Sequence, residues 1–408
     1  MEYRTFLESL GVTRFPELGE AVYAEAMNEF DTYGCRWVRE DFLLSIDAEM
    51  SHYEPYRDFI LHTAAEIRAD EALGRFTCLL AAVLRQNPKA VSSQTLALPQ
   101  SPEGTDDVAF GMTGFFALMS QIPQSIEKLK AWKVPQDVIV DTFWNFLSAI
   151  TNIAGYAHRP GFDVLRISWC IHYIIPDILK IGRLNFEIRN FGANCRLFRS
   201  KSGKNCILMT DGRFHRSGQA LGSADCTDET GAFDADFRET DTFWEGVSPN
   251  AMGLIEKTRV RLDKSGWKQV LSSGDAVLSV HIPSGSPLSH TEVLDAYHRA
   301  AEIMANCRPD HKLRAFVCSS WLMEPMVGKL MEGKGNIAAF QRDFISYPLV
   351  SQGRAVYSFL FHMPNAQPDE LPADSTLRRR VRDRLVSGKY IYELGAVLKP
   401  EVSGILPE

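Results

Sequence analysis

Cysteine is scarce and scattered in this chain. Eight occur among 408 residues, at Cys35, Cys78, Cys170, Cys195, Cys206, Cys226, Cys307 and Cys318, and no two form a CxxC pair. That argues against a zinc site of the common spacings, so no metal is expected. Reduced thiols in a cytoplasmic protein are the expectation. No apolar run approaches the ~20 residues of a membrane-spanning helix. The opening Met1-Glu2-Tyr3-Arg4 lacks the charged and apolar regions of a signal peptide. Basic residues do not dominate either: 44 Lys and Arg stand against 51 Asp and Glu, for a net charge of −7. A general nucleic-acid binder carries a basic domain, and a membrane-surface protein carries polybasic segments; the balance here argues against both. There is no internal repeat and no low-complexity tract.

What is present divides in two. The first ~180 residues read as helical on periodicity and length. Tyr56 to Arg85 is one long amphipathic stretch, and Val108 to Leu129 is another, interrupted by Pro123. Pro135 suits the first turn of a further helix, because its missing N–H would have no partner there. That helix is expected to end at Gly155. A last helix around Leu165 to Ile171 is expected to kink at Pro176. Ser92 to Asp107 reads as a loop. Near Gly182 the pattern turns strand-like, with a hairpin around Ser202-Gly203-Lys204. Strands following a block of helices predict an α+β chain: a helical N-terminal domain, residues 1–180, followed by a mixed-sheet domain with flanking helices, residues 181–408.

The most informative stretch is 275–320. Ala276 to Ile282 is a near-continuous apolar run, as in a strand buried on both faces. Small residues follow from Ser284 to Leu288. Ser289-His290-Thr291-Glu292 then matches a capping box, opening a helix with Val293, Leu294, Tyr297, Ala301 and Met304 on one face. Leu313 to Ser319 is a second buried strand. The whole is a βαβ unit with parallel strands. It would gather His281, the helix start and Cys318-Ser319-Ser320-Trp321 at one end, where ligands of open α/β sheets sit. Free N–H groups at a helix start favour an anion, whereas Glu292 in the first turn opposes one.

The segments Gly274–Pro283 and Cys318-Ser319-Ser320-Trp321-Leu322, with Asn336-Ile337, Phe340, Leu371-Pro372 and Ser375-Thr376-Leu377, resemble a group of bacterial GNAT-like acyltransferases. Ile181 to Glu187 looks like that group's junction between its helical half and its catalytic half. The resemblance implies a mixed sheet with one splayed parallel pair and acyl-CoA as cosubstrate in the gap. It further implies pantetheine contacts at Val280 and Ile282, a pyrophosphate loop over Ser284, Gly285, Ser286 and Ser289, and a contact from Asn336. The loop departs from the superfamily pattern: it holds one glycine, and Pro287 supplies no N–H.

Each site residue has two readings. His281 is either a structural histidine or the base that takes the acceptor's proton. Cys318 is either a buried core thiol or a nucleophile activated by His281. Ser319 and Ser320 either cap the next turn or donate to a carbonyl oxygen. Trp321 reads as packing or as the wall of an acceptor pocket. Asn336 is a CoA contact or a helix cap. The arginines 378, 379, 380, 382 and 384 are a solvated helix face or a seat for the CoA 3′-phosphate. The function implied is acyl transfer from acyl-CoA to a small-molecule amine or hydroxyl. A non-catalytic ligand-binding protein and a Cys318 acyl-enzyme route are the alternatives.

Overall fold

A computed structural model describes residues 1–50, 53–101, 107–157 and 159–405. Proximity along the backbone divides the chain into Met1–Lys180 and Ile181–Glu408. The first unit is helical. Its stretch from Tyr56 to Arg85 is two helices, Arg57–Ala69 and Glu71–Gln86, rather than one. Asp70 is the reason. Its backbone leaves the helical region, and its carboxylate accepts from the N–H groups of Ala72 and Leu73, satisfying donors that a new helix start exposes. Glu71–Gln86 buries Phe76, Leu79, Leu80, Val83 and Leu84. Helix Gln136–Ala157 runs past Gly155, the expected end, and Val164–Ile174 stops before Pro176 without a kink. The loop expected from Ser92 to Asp107 lies partly outside the described residues.

The second unit begins with β1 (Ile178–Ile181), inside which the division falls, and β2 (Leu184–Asn190). The hairpin β3 (Cys195–Ser200) and β4 (Asn205–Met209) turns at Gly203, whose φ of +84° suits glycine. Three two-residue strands follow: β5 (Arg213–Phe214), β6 (Phe233–Asp234) and β7 (Arg238–Glu239). Then come β8 (Phe243–Pro249), β9 (Ile255–Asp263) and β10 (Trp267–Leu271). The βαβ unit is β11 (Ala276–His281), helix His290–Cys307 and β12 (Ala315–Ser320). The chain closes with β13 (Phe344–Pro348) and β14 (Leu394–Leu398).

Six of these strands form one sheet in the order β1-β2-β11-β12-β14-β13. β11 and β12 run parallel; β2 with β11, β12 with β14 and β13 with β14 are antiparallel. One face packs on helix His290–Cys307, where the rings of Phe186, Tyr297 and Phe316 meet at 5.3–6.3 Å between centroids. Each such pair contributes ~0.5–1.5 kcal/mol beyond its burial. Val277, Val317, Tyr347 and Val397 belong to the other face and pack on Leu197, Ile207 and Val270 of β3, β4 and β10. The expected hairpin is thus part of the three-stranded sheet β10-β3-β4, a second β layer that covers the first.

Gly395 lets that layer close. It sits between Ser319 and Tyr347 in register, and a Cβ there would lie 2.4 Å from the Tyr347 ring. Gly395→Ala is therefore expected to cost about 1–3 kcal/mol through overpacking. Thermal unfolding checks this; an unchanged midpoint would mean that the ring has room to move.

Candidate functional site

The parallel ladder between β11 and β12 is short. Val277 pairs with Ala315, Leu278 with Phe316 and Ser279 with Val317, and there the pairing ends. Each strand continues to the same end while held on its other side. β11 pairs with β2 through to His281 opposite Asn185, and β12 pairs with β14 through to Ser320 opposite Leu394. Two strands fixed to different neighbours and released from each other diverge. Val280 and His281 on one side thus face Cys318, Ser319 and Ser320 on the other without a ladder. Backbone groups left so must find other partners.

Side chains alternate between the faces of a sheet. The register places Ser279, His281, Val317 and Ser319 on one face and Leu278, Val280, Phe316 and Cys318 on the other. His281 and Ser319 thus share a face, and Ser319 is exposed. Cys318 does not share it. It is buried among apolar groups at 1% exposure, and burial alone pushes its thiol up to about 12, far from the thiolate a nucleophile needs. The expected reach from His281 to Cys318 is lost to this alternation.

His281 instead meets Glu187 on β2, Nε2 to Oε2 at 3.1 Å. Glu187 opposes Ser279 in the ladder, two residues before His281 and on its face, a diagonal that a long side chain spans. Ser320 accepts from the Leu322 N–H and caps the turn in which Trp321 stands. Asn336 is exposed in the first turn of helix Gly335–Arg342, whose cap position is Lys334, not Asn336.

The loop after β11 is exposed over Ser284, Gly285 and Ser286, with Gly285 at φ +111°. Arg183, in the β1–β2 turn, donates to the carbonyls of Ser286 at 2.8 Å and Pro287 at 3.1 Å. It thereby holds two acceptors that would repel a phosphate. The expected capping box does not form: Ser289 stands at the cap position, but its side chain accepts nothing from the helix. His290 ties the helix start to buried Asp343 instead, at 2.9 Å.

Glu324 stands at the cap position of helix Pro325–Leu330. It is a buried carboxyl that accepts from the Tyr392 N–H at 2.6 Å and lies 3.8 Å from Arg384. Burial pushes it up to about 7. Its neighbours are far away in sequence, so no local pattern marks it. The arginine run is structural in four of its five members. Arg378, Arg380, Arg382 and Arg384 donate to the carbonyls of Leu360, Leu330, Asp369 and Tyr390 and staple loops together.

Among the described residues, no group of three or more His, Cys, Asp or Glu side chains could hold a metal ion. None of their helices is long and apolar enough to cross a membrane. A cleft of about 640 Å³ in the helical unit, lined by Thr13, Arg14, Phe15, Asn87 and Thr95, contains no candidate residue.

The family model described as GNAT-like C-terminal domain matches residues 178–398. Among solved structures, the fold is similar to an acyltransferase mutant in complex with octanoyl-CoA, with TM-score 0.59, 16% identity and coverage of 98% of this chain and 99% of that one. An acyltransferase in complex with decanoyl-CoA and teicoplanin is similar to the same degree, again with TM-score 0.59, 16% identity, 98% of this chain and 99% of that one. No curated protein matches the chain.

Proposed function

The chain belongs to the family of the GNAT-like C-terminal domain, and from that premise we propose that it transfers an acyl group from acyl-CoA to an amine or hydroxyl. The observation that carries this reading is the gap beyond Ser279 and Val317, where two parallel strands stop pairing. An extended pantetheine arm has the amide groups to complete hydrogen bonding there, as an added strand would. Val280 and Ile282 would flank it, and Ser284 to Ser286 would meet the pyrophosphate. The structurally similar acyltransferases hold octanoyl-CoA and decanoyl-CoA, which makes medium-length acyl chains the first donors to try.

The reaction then needs a base on the gap and no covalent intermediate. His281 takes the acceptor's proton as its nitrogen or oxygen attacks the thioester carbonyl. The new C–N or C–O bond forms, the C–S bond breaks, and CoA leaves as the thiol once it regains a proton. Ser319, exposed on the same face, could donate to the carbonyl oxygen. Direct attack is favoured over an acyl-Cys318 route because Cys318 is buried on the opposite face.

Calorimetry with octanoyl-CoA and decanoyl-CoA tests the donor, and mass spectrometry of co-purifying ligands extends the test to other chains. Absence of binding to every acyl-CoA would leave a family member without the transfer chemistry. Arg183→Ala is expected to weaken acyl-CoA binding about tenfold, since charge-assisted bonds to the two loop carbonyls are lost. An unchanged dissociation constant would mean that this loop does not bear the phosphates.

A further inference from the structure

We infer that Glu187 is the positioning residue for His281, fixing which ring nitrogen accepts the proton; this rests on the acyl-transfer reading above. The pair is built by the ladder rather than by chance surface contact. Glu187 and His281 stand on one face of adjacent antiparallel strands, offset by two residues. Ser279 lies directly opposite Glu187, and its small side chain leaves the carboxylate room to lean toward the histidine. Glu187 and His281 are only 20% and 30% exposed, so water screens the contact weakly.

The chemistry follows from the donor inventory. An ionised carboxylate only accepts, so a neutral imidazole facing it carries its proton on Nε2 and its lone pair on Nδ1. The histidine ring is then held with Nδ1 as the basic atom. When Nδ1 takes the acceptor's proton, the imidazolium forms beside the carboxylate, which steadies it. The competing role is a plain ion pair, since Arg189 lies 3.7 Å from the same Glu187 oxygen. Arg189 is half exposed, and such pairs contribute little.

Two readouts separate the roles. In ¹⁵N-detected imidazole spectra of the unliganded protein, His281 is expected as the Nε2–H tautomer, and Glu187→Gln is expected to mix the two tautomers. In turnover of octanoyl-CoA with teicoplanin as probe acceptor, Glu187→Gln is expected to lower kcat about 10- to 100-fold with KM for the donor unchanged. Arg189→Ala is expected to leave both readouts as in the wild type. An Nδ1–H tautomer in the wild-type protein, or the same tautomer in Glu187→Gln, overturns the inference whether or not teicoplanin is accepted. Full kcat in Glu187→Gln with activity lost in His281→Ala overturns it alone. Full activity in His281→Ala overturns the base itself.

Discussion

His281→Ala is expected to lower kcat by about 10²–10⁴-fold, the usual cost of losing one general base, while affinity for acyl-CoA changes little. The split follows from where the residue acts. The donor would be held by backbone groups of β11 and the loop after it, which the substitution leaves in place. The imidazole contributes to the transition state, in which the acceptor's proton is in flight. An interaction made only there lowers kcat and kcat/KM equally when removed. Cys318→Ala supplies the contrast. It is expected to retain turnover, because its thiol is buried on the other face and pushed up to about 12. Paired steady-state kinetics and calorimetry on the two variants decide the matter. Full turnover in His281→Ala, or a trapped acyl group on Cys318, would replace direct attack with another mechanism.

Glu324→Gln is expected to make the protein more stable than the wild type above about pH 8, and close to it in acid. Burial raises the Glu324 carboxyl from 4.5 to about 7, against the pull of the Tyr392 N–H and Arg384. The folded state therefore keeps a proton that the unfolded chain has released. The associated stability is complete below about pH 4.5, declines as pH rises through about 7, and is then lost. A shift of this size amounts to about 3 kcal/mol. Glutamine has no proton to lose, and its amide oxygen can still accept from Tyr392. Urea unfolding at pH 5 and pH 8 measures the difference. A less stable variant at pH 8 would mean that the ion pair with Arg384 outweighs the burial of the charge.

The βαβ unit was legible because each of its parts is local. An apolar run of strand length, small residues and then a helical period locate β11, helix His290–Cys307 and β12 to within about two residues. Parallel pairing between them follows from the crossover. What was not legible depends on register. His281 and Cys318 are near neighbours in any drawing of two parallel strands, yet alternation sends them to opposite faces once Ser279 is known to pair with Val317. Glu187 reaches His281 from 94 positions away, so no local spacing announces it. Between the expected hairpin β3–β4 and β8, the shortest strands escaped for a different reason. Strands of two residues such as β5, β6 and β7 are too short to show a period. The capping box was a false signal: Ser289 and Glu292 have the right spacing, but the helix start is tied down by His290 and Asp343 instead.

The place of β14 bears on how the chain reaches this fold. It lies between β12 and β13 although it follows both, with Leu394–Leu398 beginning 46 positions after Pro348. As the ribosome extends the chain, β12 and β13 emerge with an empty lane between them, each showing a row of unpaired backbone groups. Such edges invite pairing with strangers, and contacts that must wait for distant residues form slowly. The sheet is thus a structure that is finished from the inside. Until its keystone strand slides in, the nascent unit is at its most vulnerable to aggregation, and chaperone binding would be best timed to that interval.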